Sequence, residues 1–255
     1  MSDRPTVLVT GGAKRLGASI ARAFGDAGWH VVIHYRRSRD AAQALADKLP
    51  SAEIVACDLA DSDTAVAMIA DIAGRLSDWR ILVNCASLFE PDDVTELDGA
   101  TYDRAMKVNA RTPAMISQAF LRLAQTGRGR RVIQVTDQKI ANPNPDFFSY
   151  TMSKHALAST VPMLAMGAAA PDDRIYALAP GAILASHDQS IEETEVSHRL
   201  NLLGRKTGAQ EIAEAALFLA EGRLASGQTL FVDSGQHLLQ QNRDVIYLAR
   251  ESADA

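Results

Sequence analysis

Short apolar runs alternate along the whole chain with longer stretches in which apolar residues recur every three or four positions. This alternation predicts an α/β fold, in which helices cover both faces of a parallel sheet. The apolar runs predict seven strands, near 6–10, 30–35, 52–56, 80–84, 131–136, 174–179 and 228–232. The periodic stretches predict amphipathic helices over 16–28, 62–76, 100–125, 149–169 and 209–221.

No change of composition, Gly/Ser linker or repeat divides the 255 residues, so we predict one domain spanning 1–255. Two segments interrupt the alternation. The polar segment 182–201 follows a strand and is expected to be a substrate lid. The tail 237–255 lies beyond the last strand, and we expect it to pack against a neighbouring subunit.

The composition gives no reason to expect a nucleic acid or an anionic membrane as partner, because the net charge is −5. Cys57 and Cys85 are the only cysteines, and they form no metal-ligand spacing. They suit a reducing cytosol better than a disulfide scaffold. Because the start, Met1 to Pro5, is polar, we expect neither a signal peptide nor a membrane anchor there. We therefore expect a cytoplasmic protein without a metal that acts on a small molecule.

The first apolar run ends in glycines, in Val7-Leu-Val-Thr-Gly-Gly-Ala-Lys-Arg-Leu-Gly17, and a helix of small residues follows. Glycines there let the backbone approach a pyrophosphate, and the helix N-terminus faces the anion. A tight turn without a ligand gives the same pattern. The cofactor-binding residues predicted in this turn are Gly11, Lys14, Arg15, Leu16 and Gly17.

The end of the second strand, His34-Tyr35-Arg36-Arg37-Ser38, bears on the choice of cofactor. NAD-preferring sites place an acidic residue there, and this chain has no carboxylate before Asp40. Arg36, Arg37 and Ser38, with Lys14 and Arg15, can instead surround a 2′-phosphate, which predicts NADPH. One of the two arginines is alternatively a solvated charge. Asp58 and Leu59, after the third strand, either approach the adenine or cap the next helix.

Tyr150 and Lys154 lie four residues apart in a predicted helix, so their side chains share one face. A phenol with a pKa near 10 donates a proton poorly unless a neighbouring cation favours its ionised form. Lys154 can supply that cation, and the pair is therefore interpreted as a proton donor. The alternative is a pair exposed on the surface of a helix.

With Asn84-Cys-Ala-Ser87 after the fourth strand, Asn109 in a long helix and Pro180-Gly181 after the sixth strand, the chain resembles the short-chain dehydrogenase/reductases from Val7 to about Gly235. The resemblance implies a doubly wound Rossmann-type sheet and a homotetramer. It implies catalytic roles for Asn109, Tyr150 and Lys154, with Asn109 holding a water that links Lys154 to solvent. Further cofactor contacts are implied at Asn84, Ala86, Ser87, Tyr150, Lys154, Pro180 and Gly181. Cys85 departs from the family, which has a second asparagine there.

Within that family the glycine turn and the His34–Ser38 run resemble the pteridine reductases and the related dihydromonapterin reductases, whose His-Tyr-x-Arg-Ser run receives the NADPH phosphate. Most family members have a serine 12 or 13 residues before the tyrosine, and this chain has Asp137. A carboxyl group can hand a proton to a ring nitrogen or bind an aminopyrimidine edge. Phe89 matches the aromatic residue that stacks on the pterin. The implied substrate contacts are Ser87, Phe89, Asp137 and Tyr150.

The expected activity is NADPH-dependent reduction of the C=N bond of a dihydropterin, of the dihydromonapterin, dihydrobiopterin or dihydrofolate type. A carbonyl reductase acting on a 3-oxoacyl thioester is the second interpretation, and Asp137 in place of serine argues against it. A regulator that senses NADP(H) without catalysis is the third, and the presence of Tyr150 and Lys154 argues against that one. The lid matches no known pattern, and its charged residues are expected to be solvated: His187, Asp188, Glu192, Glu193 and His198.

Overall fold

The computed structural model describes residues 4–186 and 189–253, so His187, Asp188 and the chain ends lie outside the described residues. The apolar runs form one seven-stranded sheet in which every strand pairs in parallel, in the order β3-β2-β1-β4-β5-β6-β7. The predicted fold class is confirmed as a single Rossmann-like domain. The strands are β1 Thr6–Val9, β2 His30–Tyr35, β3 Ala52–Ala56, β4 Trp79–Asn84, β5 Arg131–Val135, β6 Arg174–Pro180 and β7 Thr229–Val232.

Helices connect the strands as the periodicity predicts. The described part of the chain contains α1 Arg15–Asp26, α2 Arg39–Ala46, α3 Ser62–Arg75, α4 Gly99–Met106, α5 Thr112–Leu123, α6 Phe148–Gly167, α7 Ile191–Ser197, α8 Ala209–Ala220 and α9 Val245–Ala253. Short 3₁₀ turns occupy Gln138–Ile140 and Gln236–Leu238.

Both faces of the sheet are buried, which explains why its strands are apolar runs rather than alternating ones. Along β1, Val7 and Val9 pack into a cluster with α1, α2 and α8, whereas Leu8 packs into a second cluster with α3, α5 and α6. Adjacent residues of a strand point to opposite faces, so the two clusters share each strand. The helices are thus fixed on both sides of the sheet.

The long helix predicted over 100–125 is interrupted. A π-helical turn, Lys107–Arg111, separates α4 from α5, and Asn109 lies in its centre. Such a turn inserts one residue into the helical period, so the apolar pattern hardly changes, and π-turns are frequent at functional sites. Helices α2, α7 and α9 were not predicted from the sequence, and they have only seven to nine residues each.

No helix within residues 4–186 and 189–253 combines the length and apolar character needed to cross a membrane. In the same part of the chain, no three His, Cys, Asp or Glu side chains are grouped so that they could hold a metal ion.

Candidate active site

A cavity of about 510 Å³ lies at the carboxyl edge of the sheet, within the usual size of a small-molecule site. It opens where β1 and β4 are neighbours and the strand order reverses, as ligand sites of open α/β sheets do. Most of the predicted residues line it: Gly11, Lys14, Arg15, Leu16, Gly17, His34, Arg36, Asp58, Leu59, Ala86, Ser87, Phe89, Asp137, Tyr150, Lys154, Pro180 and Gly181. Five predicted residues within the described chain do not: Tyr35, Arg37, Ser38, Asn84 and Asn109.

The glycine turn between β1 and α1 forms one end of the cavity. Gly11 has a left-handed φ of +65°, and a methyl group on Gly17 would lie 2.3 Å from the Gly11 carbonyl oxygen. Thr10 joins this turn to β4, because its hydroxyl oxygen accepts from the backbone N–H groups of Cys85 and Ala86 at 2.9 and 3.1 Å. No side chain caps the N-terminus of α1. The first turn of α1 therefore offers backbone N–H groups to an anion without side chains in the way, whereas the N–H groups of Gly11 and Gly12 bind within the protein.

The His34 side chain fixes the glycine turn by a hydrogen bond to its backbone. The Gly11 N–H donates to His34 Nδ1 at 3.0 Å, so Nε2 carries the ring proton and donates to the Cys57 carbonyl at 3.1 Å. Burial lowers the pKa of His34 to about 4. The ring is therefore neutral, and His34 lines the cavity without offering a positive charge to a phosphate.

The basic residues predicted around a phosphate take different positions. Lys14 and Arg36 line the cavity, whereas Arg37 is exposed and lies outside it. Arg15 has a left-handed φ of +52°, and its guanidinium donates to the lid carbonyls of Leu184 and Ala185, the latter at 2.7 Å. Arg15 thus ties the glycine turn to the lid in this structure.

Asp58 lines the cavity and does not cap the following helix. Its carboxylate accepts from the Ala60 N–H at 2.9 Å, and the N-cap of α3 is Asp61, which accepts from the Thr64 N–H at 3.1 Å. Of the two interpretations of Asp58, the helix cap is therefore wrong.

Three titratable side chains meet where β5 ends and α6 begins. The Tyr150 hydroxyl donates to Asp137 Oδ2 at 2.7 Å, and the Lys139 backbone N–H donates to Asp137 Oδ1 at 2.9 Å. The Lys154 ammonium donates to the Val135 carbonyl at 2.8 Å and lies 5.6 Å from the centre of the Tyr150 ring. Tyr150 and Lys154 are buried, so they are not an exposed helix pair.

The electrostatics of this cluster differ from the sequence prediction for Tyr150. Burial, followed by the charge of Asp137, raises the pKa of Tyr150 well above its ordinary value. Burial also raises the pKa of Asp137 and lowers that of Lys154, since each charged form loses its hydration. The expectation that Lys154 makes the phenol more acidic is therefore wrong for this structure, because the Asp137 carboxylate is the closer partner. Burial thus raises the pKa of both Asp137 and Tyr150, and the phenol stays protonated as the donor to the Asp137 carboxylate.

Phe89 is half-buried and packs between aromatic neighbours. Its ring stacks on Phe147 at a centroid distance of 4.1 Å and meets Tyr150 edge-on at 4.7 Å. Asn109 fixes the same segment, because its side-chain amide exchanges hydrogen bonds with the backbone N–H and carbonyl of Leu88 at 2.7 and 2.9 Å. Asn109 thus anchors the segment that carries Phe89, although it does not line the cavity.

Asn84 is also placed inside the protein rather than at the cavity. Its side-chain amide donates to Ser117 on α5 at 3.0 Å and to Gln134 on β5 at 2.9 Å. These contacts join the centre of the sheet to α5.

The lid and the tail close the far end of the cavity together. Glu193 of α7 accepts from Arg250 of α9 at 2.8 Å, and His198 is buried, so the expectation that the lid charges are all solvated is wrong for these two residues. The tail packs on its own chain here. The cavity-lining residues that the sequence analysis missed come mainly from this region: Lys139, Ile183, Leu184, Ser186, Gln189, Ser197, Gln236, Asp244, Val245 and Ile246.

A parallel sheet with this strand order, a glycine turn and a buried tyrosine and lysine on one helix define a dehydrogenase-like class of protein. Residues 11–237 match the model of a family described as enoyl-(acyl carrier protein) reductase. An Arabidopsis thaliana protein named short-chain dehydrogenase reductase 5 is 32% identical, and the alignment covers 93% of this chain and 96% of that relative. The chain belongs to the short-chain dehydrogenase/reductase family and is an oxidoreductase.

Two further relatives are similar over nearly the whole chain. Pteridine reductase 1 of Leishmania tarentolae is 29% identical, and the alignment covers 92% of this chain and 96% of that protein. The crystal structure of FolM alternative dihydrofolate reductase 1 from Brucella canis, complexed with NADP, is 34% identical in sequence with a TM-score of 0.87. The superposition covers 94% of this chain and 96% of that one. The predicted resemblance to the pteridine reductases agrees with these similarities.

Proposed function

We propose that the protein is an NADPH-dependent reductase that converts the C=N bond of a dihydropterin to the tetrahydro form. The observation that carries this proposal is the 2.7 Å hydrogen bond between Tyr150 and Asp137 inside the cavity. A carbonyl reductase needs only a hydroxyl donor, whereas a carboxyl beside a phenol suits a basic ring nitrogen. The relatives named as a pteridine reductase and an alternative dihydrofolate reductase support the same substrate class.

The residues at the glycine turn fit a dinucleotide cofactor. A Cβ on Gly17 would fill the turn, and the uncapped N-terminus of α1 provides N–H groups for a pyrophosphate. Lys14 and Arg36 line the same end and carry the positive charge that a 2′-phosphate requires. NADPH bound there would supply a hydride. The similar proteins whose crystal structures contain NADP support this choice of cofactor.

The protein's own groups then supply the proton and orient the substrate. Asp137 and Tyr150 share a hydrogen bond and burial raises the pKa of both, so the pair can hold a proton for the ring nitrogen. Lys154 is fixed behind them by the Val135 carbonyl. Phe89 lines the cavity with Phe147 packed behind it, and a flat heteroaromatic stacked there gains about 0.5–1.5 kcal/mol beyond burial.

A substrate panel tests the proposal. NADPH oxidation is followed at the nicotinamide absorbance with dihydrobiopterin, dihydromonapterin, dihydrofolate and an acetoacetyl thioester. We expect turnover of at least one dihydropterin. Turnover of the thioester alone would establish the carbonyl reductase instead, and NADPH binding without any turnover would favour a sensor.

Variants test the proton donors. Loss of either group should lower kcat on the dihydropterin by about 10²–10⁴-fold, the usual contribution of a positioned acid. We therefore expect this loss in Asp137→Ala and in Tyr150→Phe. Tyr102→Phe on α4 is the matched control, because Tyr102 does not line the cavity. Wild-type rates in both active-site variants would contradict the assignment.

The resemblance also implies a homotetramer, and the two cysteines without metal-ligand spacing favour the cytoplasm; both remain part of the proposal. Large apolar side chains exposed on α6 and α8, among them Met163, Met166 and Phe218, support an interface between subunits. Light scattering coupled to size-exclusion chromatography tests the tetramer, and a monomer at micromolar concentration would contradict it.

A further inference from the structure

The tail carries a carboxylate into the active site of its own chain. Asp244 lines the cavity just before α9, and its Oδ2 lies 2.6 Å from the Lys139 ammonium. The two side chains are only 9% and 4% exposed, so the ion pair is buried. Neither residue belongs to a family motif that the sequence analysis identified.

Both members of this pair are held firmly. The Lys139 ammonium also donates to Asn144 Oδ1 at 3.2 Å and to the Asp146 carbonyl at 3.1 Å, so each of its three protons has an acceptor. Asp244 Oδ1 accepts from the Ile246 N–H at 3.0 Å, and the Asp244 N–H donates to Asp146 Oδ2 at 2.7 Å. The tail is thereby fastened to the segment between β5 and α6.

Burial of an ion pair gives little stability by itself, because the lost hydration roughly offsets the attraction between the charges. The position of this pair suggests another use. Lys139 is two residues from Asp137 and donates its backbone N–H to Asp137 Oδ1 at 2.9 Å, opposite the oxygen that binds Tyr150. The Lys139 backbone therefore fixes one oxygen of the proposed proton donor, and both residues line the same cavity.

The charges of the pair act in opposite directions on the catalytic groups. The Lys139 ammonium lowers the pKa of Asp137 and opposes the effect of burial, whereas the Asp244 carboxylate adds to the raised pKa of Tyr150. Titratable or charged groups from every surrounding element face this cluster: Cys85 after β4, Lys139 after β5, Asp146 before α6, Lys154 on α6, His198 in the lid, and Arg243 and Asp244 in the tail.

We propose that Asp244 is a positioning residue of the reduction: by neutralising Lys139, it allows the Asp137 carboxyl to keep the proton that is delivered to the substrate. This inference rests on the proposed function for the use of that proton. It assigns a catalytic purpose to the tail of the same chain, which acts through Lys139 and not by contact with the reacting atoms.

The test is a titration of the Asp137 carboxyl by ¹³C NMR in protein labelled at aspartate, with the signal assigned by its absence in Asp137→Asn. Asp244→Asn leaves the Lys139 cation unopposed, so Asp137 should titrate at lower pH than in the wild type. Lys139→Met leaves the Asp244 anion unopposed, so Asp137 should titrate at higher pH. A displacement of one pKa unit changes the protonated fraction of Asp137 about tenfold at pH values above the midpoint of its titration. The pH limb of kcat that reports Asp137 should move in the same two directions.

If the ion pair had a purely structural role, both variants would disturb the Asp137 titration in the same way. Displacements in opposite directions cannot arise from such a role. Displacements in the same direction, or none in either variant, would overturn the proposal. If a single variant does not fold, Lys139→Met/Asp244→Leu replaces the pair with apolar side chains of similar size, a change that buried pairs often tolerate. Its two charge effects should cancel and leave the titration near that of the wild type, and a large displacement would refute the proposal. A protein that turned over no dihydropterin would refute the proposed function, while the NMR comparison would still decide this inference.

Discussion

The neutral, buried His34 should make the stability of the protein depend on pH in a defined window. The pKa of His34 is about 4 in the folded protein and 6.5 in the unfolded chain. Between these values the unfolded chain binds the proton and the folded protein does not, so the free energy of unfolding falls as the pH falls. With 1.36 kcal/mol per pKa unit, the loss is about 2 kcal/mol by pH 5 and about 3 kcal/mol by pH 4.

The assay is urea unfolding at pH 7, 6, 5 and 4, at one protein concentration, with the fluorescence of the buried Trp79 as the signal. His34→Gln is the comparison variant, because an amide keeps a donor and an acceptor and does not titrate. Carboxylates titrate in both proteins, so their contribution cancels when the pH dependence of one protein is subtracted from that of the other. The wild type should lose about 3 kcal/mol more than His34→Gln between pH 7 and pH 4.

Equal pH dependence of the two proteins would refute the reasoning, because His34 would then titrate alike in the folded and unfolded states. The hydrogen bonds give an independent check. At pH 6 the ¹⁵N spectrum of the His34 ring should show the tautomer protonated at Nε2, since Nδ1 accepts from Gly11. A protonated imidazolium at that pH would contradict the burial argument.

Three further predictions concern the cavity and the segment that Asn109 anchors beside it. Arg36→Ala should lower the NADPH to NADH ratio of kcat/KM by roughly 10–100-fold, the value of a charge-assisted hydrogen bond, whereas Arg37→Ala should leave that ratio unchanged. Gly17→Ala places a methyl group 2.3 Å from a backbone oxygen, so it should weaken NADPH binding by at least about tenfold, as measured by calorimetry. Gly74→Ala is the control, because the space around Gly74 is open. Asn109→Ala leaves the Leu88 backbone groups unpaired and should lower the free energy of unfolding by about 1–3 kcal/mol in urea, and an unchanged midpoint would contradict this.

Much of the fold could be predicted because its strands are buried on both faces. In β2, for example, only His30 and His34 interrupt the apolar residues, and its bounds follow directly from the sequence. The helices α7 and α9 could not be found in this way. They are short, and much of their stability comes from contacts with each other, such as the ion pair between Glu193 and Arg250.

The site was predictable where local spacing determines geometry. Tyr150 and Lys154 share a helix, and Asp137 follows β5 closely, so their meeting follows from the order of elements. The partner of Lys139 lies in the tail, and no local pattern connects Lys139 with Asp244. The neutral state of His34 could not be predicted from the sequence either, because it depends on which backbone groups surround the ring after folding.

The tail has a consequence for how the molecule is made. Synthesis proceeds from the N-terminus, so all seven strands, through Val232, leave the ribosome before Asp244 does. Strands β1 to β6 and the glycine turn, which are made long before Asp244, can therefore come together while the cavity still lacks one wall. An affinity tag inserted directly after α9 would begin close to this wall, so a tag ahead of β1 is the better choice for measurements of substrate binding.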